Sequence, residues 1–275
     1  MSLVSNPPGT ESSVKRIVDA LEVQFRVLNA LILRETKTRY GRHKLGFFWI
    51  FIEPMFFVGL FLSFKLLLKS PTSGGMSDAY FIITGITPFL LFRQTMSQLA
   101  NSIAGSRNLL AFPQVTTFDV MLATALLEFA SVIFVFSVLV IGFALVDEPP
   151  RVEHPLLVLY GTLLLGVTGT GMGMIFASLI PIWPSIKNIT NPLFGRPLFF
   201  TSGIFFTAEM LPAAARDVVL WNPLLHMVEI IRSAFFIEFE SQYIEWNYAG
   251  FFAAGVFLFG LLMHQVLRNQ AIKLA

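Results

Sequence analysis

Residues 120–146 read VMLATALLEFASVIFVFSVLVIGFALV and contain a single charged side chain, that of Glu128. An α-helix rises about 1.5 Å per residue, so about 20 apolar residues cross the hydrocarbon core of a bilayer, which is about 30 Å thick. The run is long enough for that, and its apolar residues do not alternate with polar ones as they would in a transmembrane β-strand. It predicts a transmembrane helix.

Five more apolar blocks of similar kind follow from the same reading. They cover residues 47–68, 79–99, 156–180, 193–208 and 248–266, and the block at 193–208 is short. Hydrophobic residues make up 55% of the chain and charged residues only 13%, whereas soluble proteins have roughly 25% charged residues. The sequence therefore predicts an all-α, polytopic integral membrane protein with six transmembrane helices.

Basic residues lie on alternate sides of these blocks. Eight precede the first block: Lys15, Arg16, Arg26, Arg34, Lys37, Arg39, Arg42 and Lys44. Others on the same side are Arg107, Lys187, Arg268 and Lys273, whereas the remaining connections carry mainly acidic residues such as Asp147, Glu148 and Glu209. Lysine and arginine are retained on the cytoplasmic side of a bacterial inner membrane. Both termini are therefore expected in the cytoplasm.

The chain divides into four segments by composition. Residues 1–13 are rich in serine, proline and glycine and are expected to be disordered. Residues 14–45 have apolar side chains at helical spacing opposite charged ones, which indicates an amphipathic helix at the membrane interface followed by a basic linker. A solvated helix docked on a soluble partner is the alternative. Residues 46–268 form the transmembrane domain and residues 269–275 a cytoplasmic tail.

The sequence lacks the chemistry of an ATPase. It has no cysteine, and no Gly-x-x-x-x-Gly-Lys-Ser/Thr phosphate loop occurs in it. The glycine-rich run 169–173 lies inside an apolar block, where Gly169 and Gly173 form a small-x-x-x-small pair that favours close helix packing. The chain is therefore interpreted as a transport subunit and not as an enzyme.

Two groups of residues carry a resemblance to a known family. The first group is Leu33-Arg34-Glu35, Thr38-Arg39-Tyr40-Gly41, Leu45-Gly46-Phe47, Trp49 and Glu53-Pro54. The second group is Leu211-Pro212, Trp221-Asn222-Pro223-Leu224-Leu225-His226 and Arg232. In order and spacing they resemble the permease subunits of capsular polysaccharide exporters, within the ABC-2 class of ATP-driven transporters. Pro223, His226 and Arg232 are the residues that match the class signature.

The resemblance implies an assembly as well as a fold. It implies a homodimer with the path between the copies, and a separate ATP-binding subunit on each copy that holds ATP and Mg, so that this chain binds no cofactor. Its substrate would be a lipid-linked acidic polysaccharide, passed on to periplasmic and outer-membrane export proteins. The segment 209–246 would form a re-entrant hairpin of two short helices, as in the ABC-2 exporter fold. Membrane lipids are partners, and nucleic acid is not expected.

The loop after the second block is expected to contact the ATP-binding subunit. In the family the corresponding segment is a short coupling helix, and apolar side chains on a cytoplasmic loop need a partner to cover them. A simple connecting turn is the alternative. The residues assigned to coupling are Arg107, Asn108, Leu109, Leu110 and Phe112.

Substrate contacts are expected at two places. Arg39, Arg42 and Lys44 approach the membrane on the cytoplasmic side and could bind the phosphate of the lipid anchor, or could serve only to fix topology. The blocks that line the path in this class supply a charged pair and aromatic faces for sugar rings. Those residues are Glu53, Phe56, Phe57, Phe61, Arg196, Phe199, Phe200, Phe205 and Phe206. Glu53 is expected to face the path or to pair with Arg196, whereas Lys65 and Arg93 reach towards the interfaces.

His226 and Glu229 lie one helical turn apart, but two ligands make a weak metal site, so hydrogen bonding within the hairpin is favoured and no metal is assigned. Three other functions stay open. An O-antigen or teichoic-acid exporter would share the class. A membrane transferase acting on lipid-linked sugars would need an acid-base pair near a membrane face. A secondary transporter would be expected to show an inverted repeat, which the sequence lacks.

Overall fold

The computed structural model describes residues 13–40, 48–68, 77–110, 112, 114–145, 152, 154–236, 239 and 241–274. Within these ranges the chain forms helices joined by turns, and no strand occurs among them. The helices are α1 Ser13–Tyr40, α2 Trp49–Leu68, α3 Asp78–Ala100, α4 Ser102–Gly105, α5 Thr117–Ala144, α6 Pro155–Leu179, α7 Ile186–Thr190, α8 Arg196–Thr201, α9 Ala213–Val219, α10 Pro223–Phe235 and α11 Trp246–Leu274. A π-helix, Asn191–Gly195, joins α7 to α8, and a 3-10 helix, Ala208–Met210, lies between α8 and α9.

Three of the described helices are long and apolar enough to cross a membrane. They are Thr117–Ala144, Pro155–Leu179 and the part of α11 from Trp246 to Ile272. The prediction of an all-helical membrane protein is confirmed at this level. The helices α2 and α3 also match predicted blocks within a few residues, whereas α11 continues through most of the segment that was expected to be a separate tail.

The block predicted at 193–208 is wrong in its bounds. The helical segment begins at Ile186, passes through the π-helix and ends at Thr201. Pro192 and Pro197 lack the backbone N–H that a regular helix needs, which explains the irregular turn. Gly203 then takes a φ of 69°, a left-handed conformation that glycine adopts without steric cost, and the chain bends away.

The centre of the bundle is the pair α3 and α6, and α6 also packs on α10 and α11. The approach is close because the contact face of α6 carries glycines. A Cβ atom added at Gly169 would lie 2.7 Å from the carbonyl oxygen of Phe92, and one at Gly173 would lie 2.6 Å from the Cβ of Leu99. The predicted packing role of Gly169 and Gly173 is confirmed.

Helix α1 lies along the beginning of α5. Leu31 is buried with Val120 and Ala123, and Val27 and Leu28 pack against this cluster. Other apolar side chains of α1, such as Phe25, remain exposed. A helix is present in the predicted segment, and its role as an amphipathic helix at a membrane interface stays a prediction. The linker 41–45 and residues 1–12 lie outside the described residues.

Candidate functional site

Two adjoining clefts open beside α3 and share Arg93. The first has a volume of about 400 Å³ and lies between the end of α3, the end of α6 and α7; its lining includes Gln94, Ser97, Asn101 and Lys187. The second has a volume of about 360 Å³ and is lined by Phe57, Arg93, Gly195, Arg196, Phe199 and Phe200. A polar cleft thus leads into an aromatic one.

The predicted path phenylalanines meet at the second cleft. The ring centroids of Phe57 and Phe199 are 5.4 Å apart, those of Phe199 and Phe205 5.2 Å, and Phe61 stacks on Phe205 at 3.9 Å. Phe200 contacts both Phe199 and Phe205. The structure therefore brings helices α2 and α8 and the bend after α8 together through aromatic contacts.

Two of the predicted aromatic residues stand at the edge of this cluster. Phe56 contacts Phe57 and is 63% exposed, and the half-buried Phe206 follows the cluster along the bend. Sequence reasoning missed Phe89 of α3, whose ring lies 5.6 Å from that of Phe199. Its position inside a continuous apolar block gave no signal that distinguished it from core residues.

Glu53 does not pair with Arg196, which was one of the two alternatives predicted for its carboxylate. Its carboxylate forms an ion pair with Arg93 and accepts a hydrogen bond of 3.3 Å from Nε2 of Gln94. Both partners lie on α3, so the pair links α2 to α3 beside the shared cleft. Arg93 was expected only to reach towards an interface. The sequence did not indicate its partner, which is 40 residues away.

Arg39 is held by two carboxylates of the protein. Its guanidinium donates to Glu128 of α5 and, at 2.6 Å, to Glu35 of α1, while Glu35 also accepts from the hydroxyl of Thr124 at 3.0 Å. Burial alone would lower the pKa of Arg39, but the negative charges of Glu128 and Glu35 outweigh it and raise the pKa above its ordinary value. This geometry joins α1 to α5 and leaves the phosphate role a prediction; Arg42 and Lys44 lie outside the described residues.

The loop assigned to coupling is a series of turns after α4. Arg107 and Asn108 are exposed. Leu109 and Leu110, which were expected to be exposed, are half-buried against the cluster of α1 and α5 around Leu31. Phe112 is 61% exposed. Of the apolar side chains described in this loop, Phe112 is the one that offers a large free surface to a partner.

The signature residues build the segment from α8 to α11. Pro223 is the first residue of α10, and the side chain of Asn222 caps this helix by accepting from the N–H of Leu224 at 3.0 Å. The amide of Asn222 also donates to the hydroxyls of Thr201 and Ser202 at the end of α8. The start of α10 is thereby tied to the end of α8.

His226 and Glu229 hold the ends of the same segment by hydrogen bonds. Nε2 of His226 lies 2.9 Å from the carbonyl oxygen of Leu220, and the N–H of Glu245 donates to Nδ1. The carboxylate of Glu229 accepts from the N–H of Ala208 at 2.6 Å and from Ser241 at 2.8 Å. Among the described residues there is no group of three or more possible metal ligands.

Arg232 is fully buried and binds backbone oxygens. Its two terminal nitrogens donate to the carbonyls of Gly203, Ile204 and Phe206 in the bend after α8, and to that of Phe81 in α3. The guanidinium also lies over the Phe81 ring, 3.8 Å from its centroid. Arg232 therefore fixes the bend at Gly203 against α3, a role that its place in the signature did not reveal.

The described part of the chain combines three helices that are long and apolar enough to cross a membrane with a cleft whose walls are cationic and aromatic. This combination suits a membrane transport protein. A family model described as ABC-2 type transporter matches residues 26–236. Since the match covers more than half of the chain, the protein belongs to the ABC-2 type transporter family.

Characterised relatives are similar to the chain over most of their length. The polysialic acid transport protein KpsM of Escherichia coli is 28% identical over 251 residues, which cover 91% of this chain and 96% of KpsM. The capsule polysaccharide export inner-membrane protein BexB of Haemophilus influenzae is 26% identical over 89% of this chain and 92% of its own. The O-antigen export system permease protein RfbA of Myxococcus xanthus is 25% identical, over 80% of this chain and 84% of its own.

Proposed function

We propose that the chain is the permease subunit of an ATP-driven exporter that moves a lipid-linked, acidic capsular polysaccharide across a bacterial inner membrane, from cytoplasm to periplasm. The observation that carries the proposal is the cleft beside α3, where Arg93, Lys187 and Arg196 accompany a phenylalanine cluster. Cations suit an acidic polymer, and aromatic faces contact sugar rings without fixing one register. Membership of the family and the capsule-export relatives support it.

The proposed topology has six spans and both termini in the cytoplasm. The fifth span is the segment from Ile186 to Thr201, which at about 1.5 Å per residue extends about 24 Å and is short for a bilayer. Helices α9 and α10 have 7 and 13 residues, too few to cross, and they form the re-entrant hairpin. The distribution of lysine and arginine supports the orientation.

The proposed assembly is a homodimer with one ATP-binding subunit on each copy. ATP binding would draw these subunits together, and the loop 107–112 would transmit the movement to the bundle as a rigid-body displacement. The exposed ring of Phe112 supports this contact. Periplasmic and outer-membrane export proteins would receive the polymer, and ATP hydrolysis would belong entirely to the partner subunit.

The test is deletion of the gene in its own organism, followed by measurement of surface and cytoplasmic polysaccharide per cell. Surface capsule is expected to disappear while finished polymer accumulates inside, and the wild-type gene is expected to restore export. A second strain, with the phosphate-binding lysine of the ATP-binding subunit replaced, should show the same accumulation.

The alternatives give different outcomes in that experiment. Accumulation of O-antigen or teichoic acid, with capsule unchanged, would favour an exporter of those polymers. The relatives support that alternative less well, since the Myxococcus xanthus protein has lower identity and coverage. Loss of polymer from both compartments would point to a transferase and would contradict transport.

A further inference from the structure

A charged group lies where the two clefts meet, and none of its members belongs to the class signature. Arg93 lines both clefts, and its side chain is 29% exposed. Its partner Glu53 is 38% exposed, and Gln94 completes the group. The ion pair is therefore open to the cleft and not sealed inside the bundle.

The charges along the clefts are unequal. Among the described residues, the linings contain three cations, Lys187, Arg93 and Arg196, and no carboxylate. Lys187 and Arg196 are exposed, and neither lies within ion-pair distance of a carboxylate in the described part of the chain. Glu53, just behind the wall, is the counter-ion that balances one of the three charges.

A partly exposed ion pair of this kind can be exchanged for another. Water reaches both partners of such a pair and competes with the contact between them. Glu53 gives one carboxylate oxygen to Arg93 and the other to Gln94. A carboxylate or phosphate of a polymer can offer the Arg93 guanidinium two oxygens in a bidentate arrangement. The rings of Phe57, Phe199 and Phe200 line the same cleft and can contact the sugar that carries the acid group.

We propose that Arg93 is the anion-binding residue of the path, and that Glu53 is its resting counter-ion, replaced by an acid group of the passing polymer. This inference rests on the proposed function and adds to it the residue that selects an acidic substrate. An unpaired cation near the hydrocarbon region is costly, and Glu53 provides a partner between substrates. Binding that exchanges with an internal carboxylate stays weak enough for each acid group to leave again.

The charge of the cleft can be measured without export. The chain has no cysteine, so Ser97→Cys places one thiol on the exposed wall of the first cleft. The purified permease is treated with anionic and cationic methanethiosulfonate reagents, and the ratio of the two rates reports the local potential. In about 0.01 M salt, at a separation of about 8 Å, removal of one positive charge should lower the anion-to-cation ratio about fourfold.

Replacing Arg93 and replacing Glu53 are expected to change the anion-to-cation ratio in opposite directions. Arg93→Gln in the Ser97→Cys background should lower the ratio, and Glu53→Gln should raise it. Arg26→Gln is the matched control, since Arg26 also pairs with a glutamate, at 3.9 Å, but on the exposed face of α1, and it should leave the ratio unchanged. An unchanged ratio in Arg93→Gln would overturn the inference.

Substrate selection is tested with an acidic probe. Oligogalacturonate should slow labelling of Ser97→Cys, dextran oligomers of equal length should not, and Arg93→Gln should abolish the protection while Arg93→Lys keeps part of it. In cells, Arg93→Gln should lower surface polysaccharide at matched permease level. Normal export by Arg93→Gln would reject the inference and leave the proposed function intact, whereas failure of the deletion experiment would reject the proposed function.

Discussion

The two terminal nitrogens of Arg232 donate hydrogen bonds to four backbone oxygens, most of them in the bend after α8. The carbonyls of this bend have no partners within a regular helix. Three of these oxygens belong to Gly203, Ile204 and Phe206. A buried carbonyl left without a donor costs about 1–3 kcal/mol. One side chain thus stabilises the point where the chain leaves α8 and begins the segment towards α10.

The first prediction concerns this residue. Arg232→Met keeps an unbranched apolar stem but removes every donor, so several buried carbonyls lose their partner. The free energy of unfolding should fall by about 3 kcal/mol or more. The measurement is thermal unfolding of the purified protein in detergent, followed by intrinsic fluorescence. Arg26→Met, at an exposed position of α1, should leave the unfolding temperature near that of the wild type, and an equal shift in both variants would count against the role of Arg232.

At the scale of helices, the contact between α3 and α6 depends on the absence of side chains. Gly169 faces the backbone of Phe92, which cannot move aside as the end of a flexible side chain can. Gly142 of α5, in contrast, has no atom within 4 Å of the point that an added Cβ atom would occupy. The same substitution therefore tests a closed and an open site.

Gly169→Ala is expected to destabilise the bundle by about 1–3 kcal/mol, because the added methyl group forces α3 and α6 apart. Gly142→Ala is the control and should be neutral or stabilising by about 0.5–1 kcal/mol, since alanine is the better helix former. Both effects can be read from unfolding temperatures in the same detergent. Equal stability of the Gly169→Ala variant and the wild type would contradict the close approach of α3 and α6.

Helix α1 is attached to α5 by polar links as well as by apolar packing. Arg39 bonds to Glu128 and Glu35, and Gln24 donates to Asp119, the residue that completes the capping box of α5 with Thr116. The bonds Gln24–Asp119 and Arg39–Glu128 lie near the two ends of the contact between α1 and α5. They hold the helix in one register along α5.

Arg39→Lys should loosen this attachment while keeping the positive charge, because an ammonium group lacks the planar fork that serves both carboxylates. The readout is a single cysteine at Leu28, which packs against the cluster between α1 and α5. Its labelling should become about threefold faster or more, as expected for the loss of one hydrogen bond. Arg26→Lys provides the control, and equal rates in the two variants would rule out a role of Arg39 in docking.

The sequence predicted most helices because a helix that spans a bilayer needs about 20 consecutive apolar residues, and such runs can be recognised by composition. Five of the six predicted blocks match helices of the structure within a few residues at their starts. The exception is the segment with Pro192 and Pro197, where missing N–H groups break the regularity on which the prediction depends. Its true end at Thr201 is set by Gly203 and by tertiary bonds to Arg232.

The ion-pair partners of the charged side chains could not be predicted from the sequence, for a different reason. Arg39 and Glu128 are 89 residues apart and Arg93 and Glu53 are 40 apart. Which side chains meet depends on the relative rotation and height of two packed helices. The path phenylalanines were predicted because the family resemblance indicated which spans line the path, and not because their spacing differs from that of core residues.

On the scale of the whole molecule, the orientation of the chain in the membrane determines which side of the membrane the cleft faces. Single cysteines at Ser77 and Glu209 should react with impermeant reagents from outside intact spheroplasts, whereas Asn108→Cys and Lys187→Cys should react only after lysis. Asn108, Lys187 and Glu209 are exposed in the structure, so poor access would not explain a negative result. Labelling of Asn108→Cys in intact spheroplasts would reverse the proposed topology.

The contact with the ATP-binding subunit is the remaining whole-molecule prediction. Leu109 is half covered by its own chain, so a charge there would disturb folding and association together. The side chain of Phe112 is mostly exposed, so Phe112→Asp should weaken association without disturbing the fold. Loss of an aromatic hot-spot residue costs about 2 kcal/mol or more, so the complex should weaken about thirtyfold or more. Co-purification of the ATP-binding subunit and the ATPase rate of the complex are the measurements. Glu209→Ala, at an exposed position on the proposed opposite side, should leave both unchanged. An intact and fully active complex of the Phe112→Asp variant would move the contact elsewhere on the cytoplasmic surface.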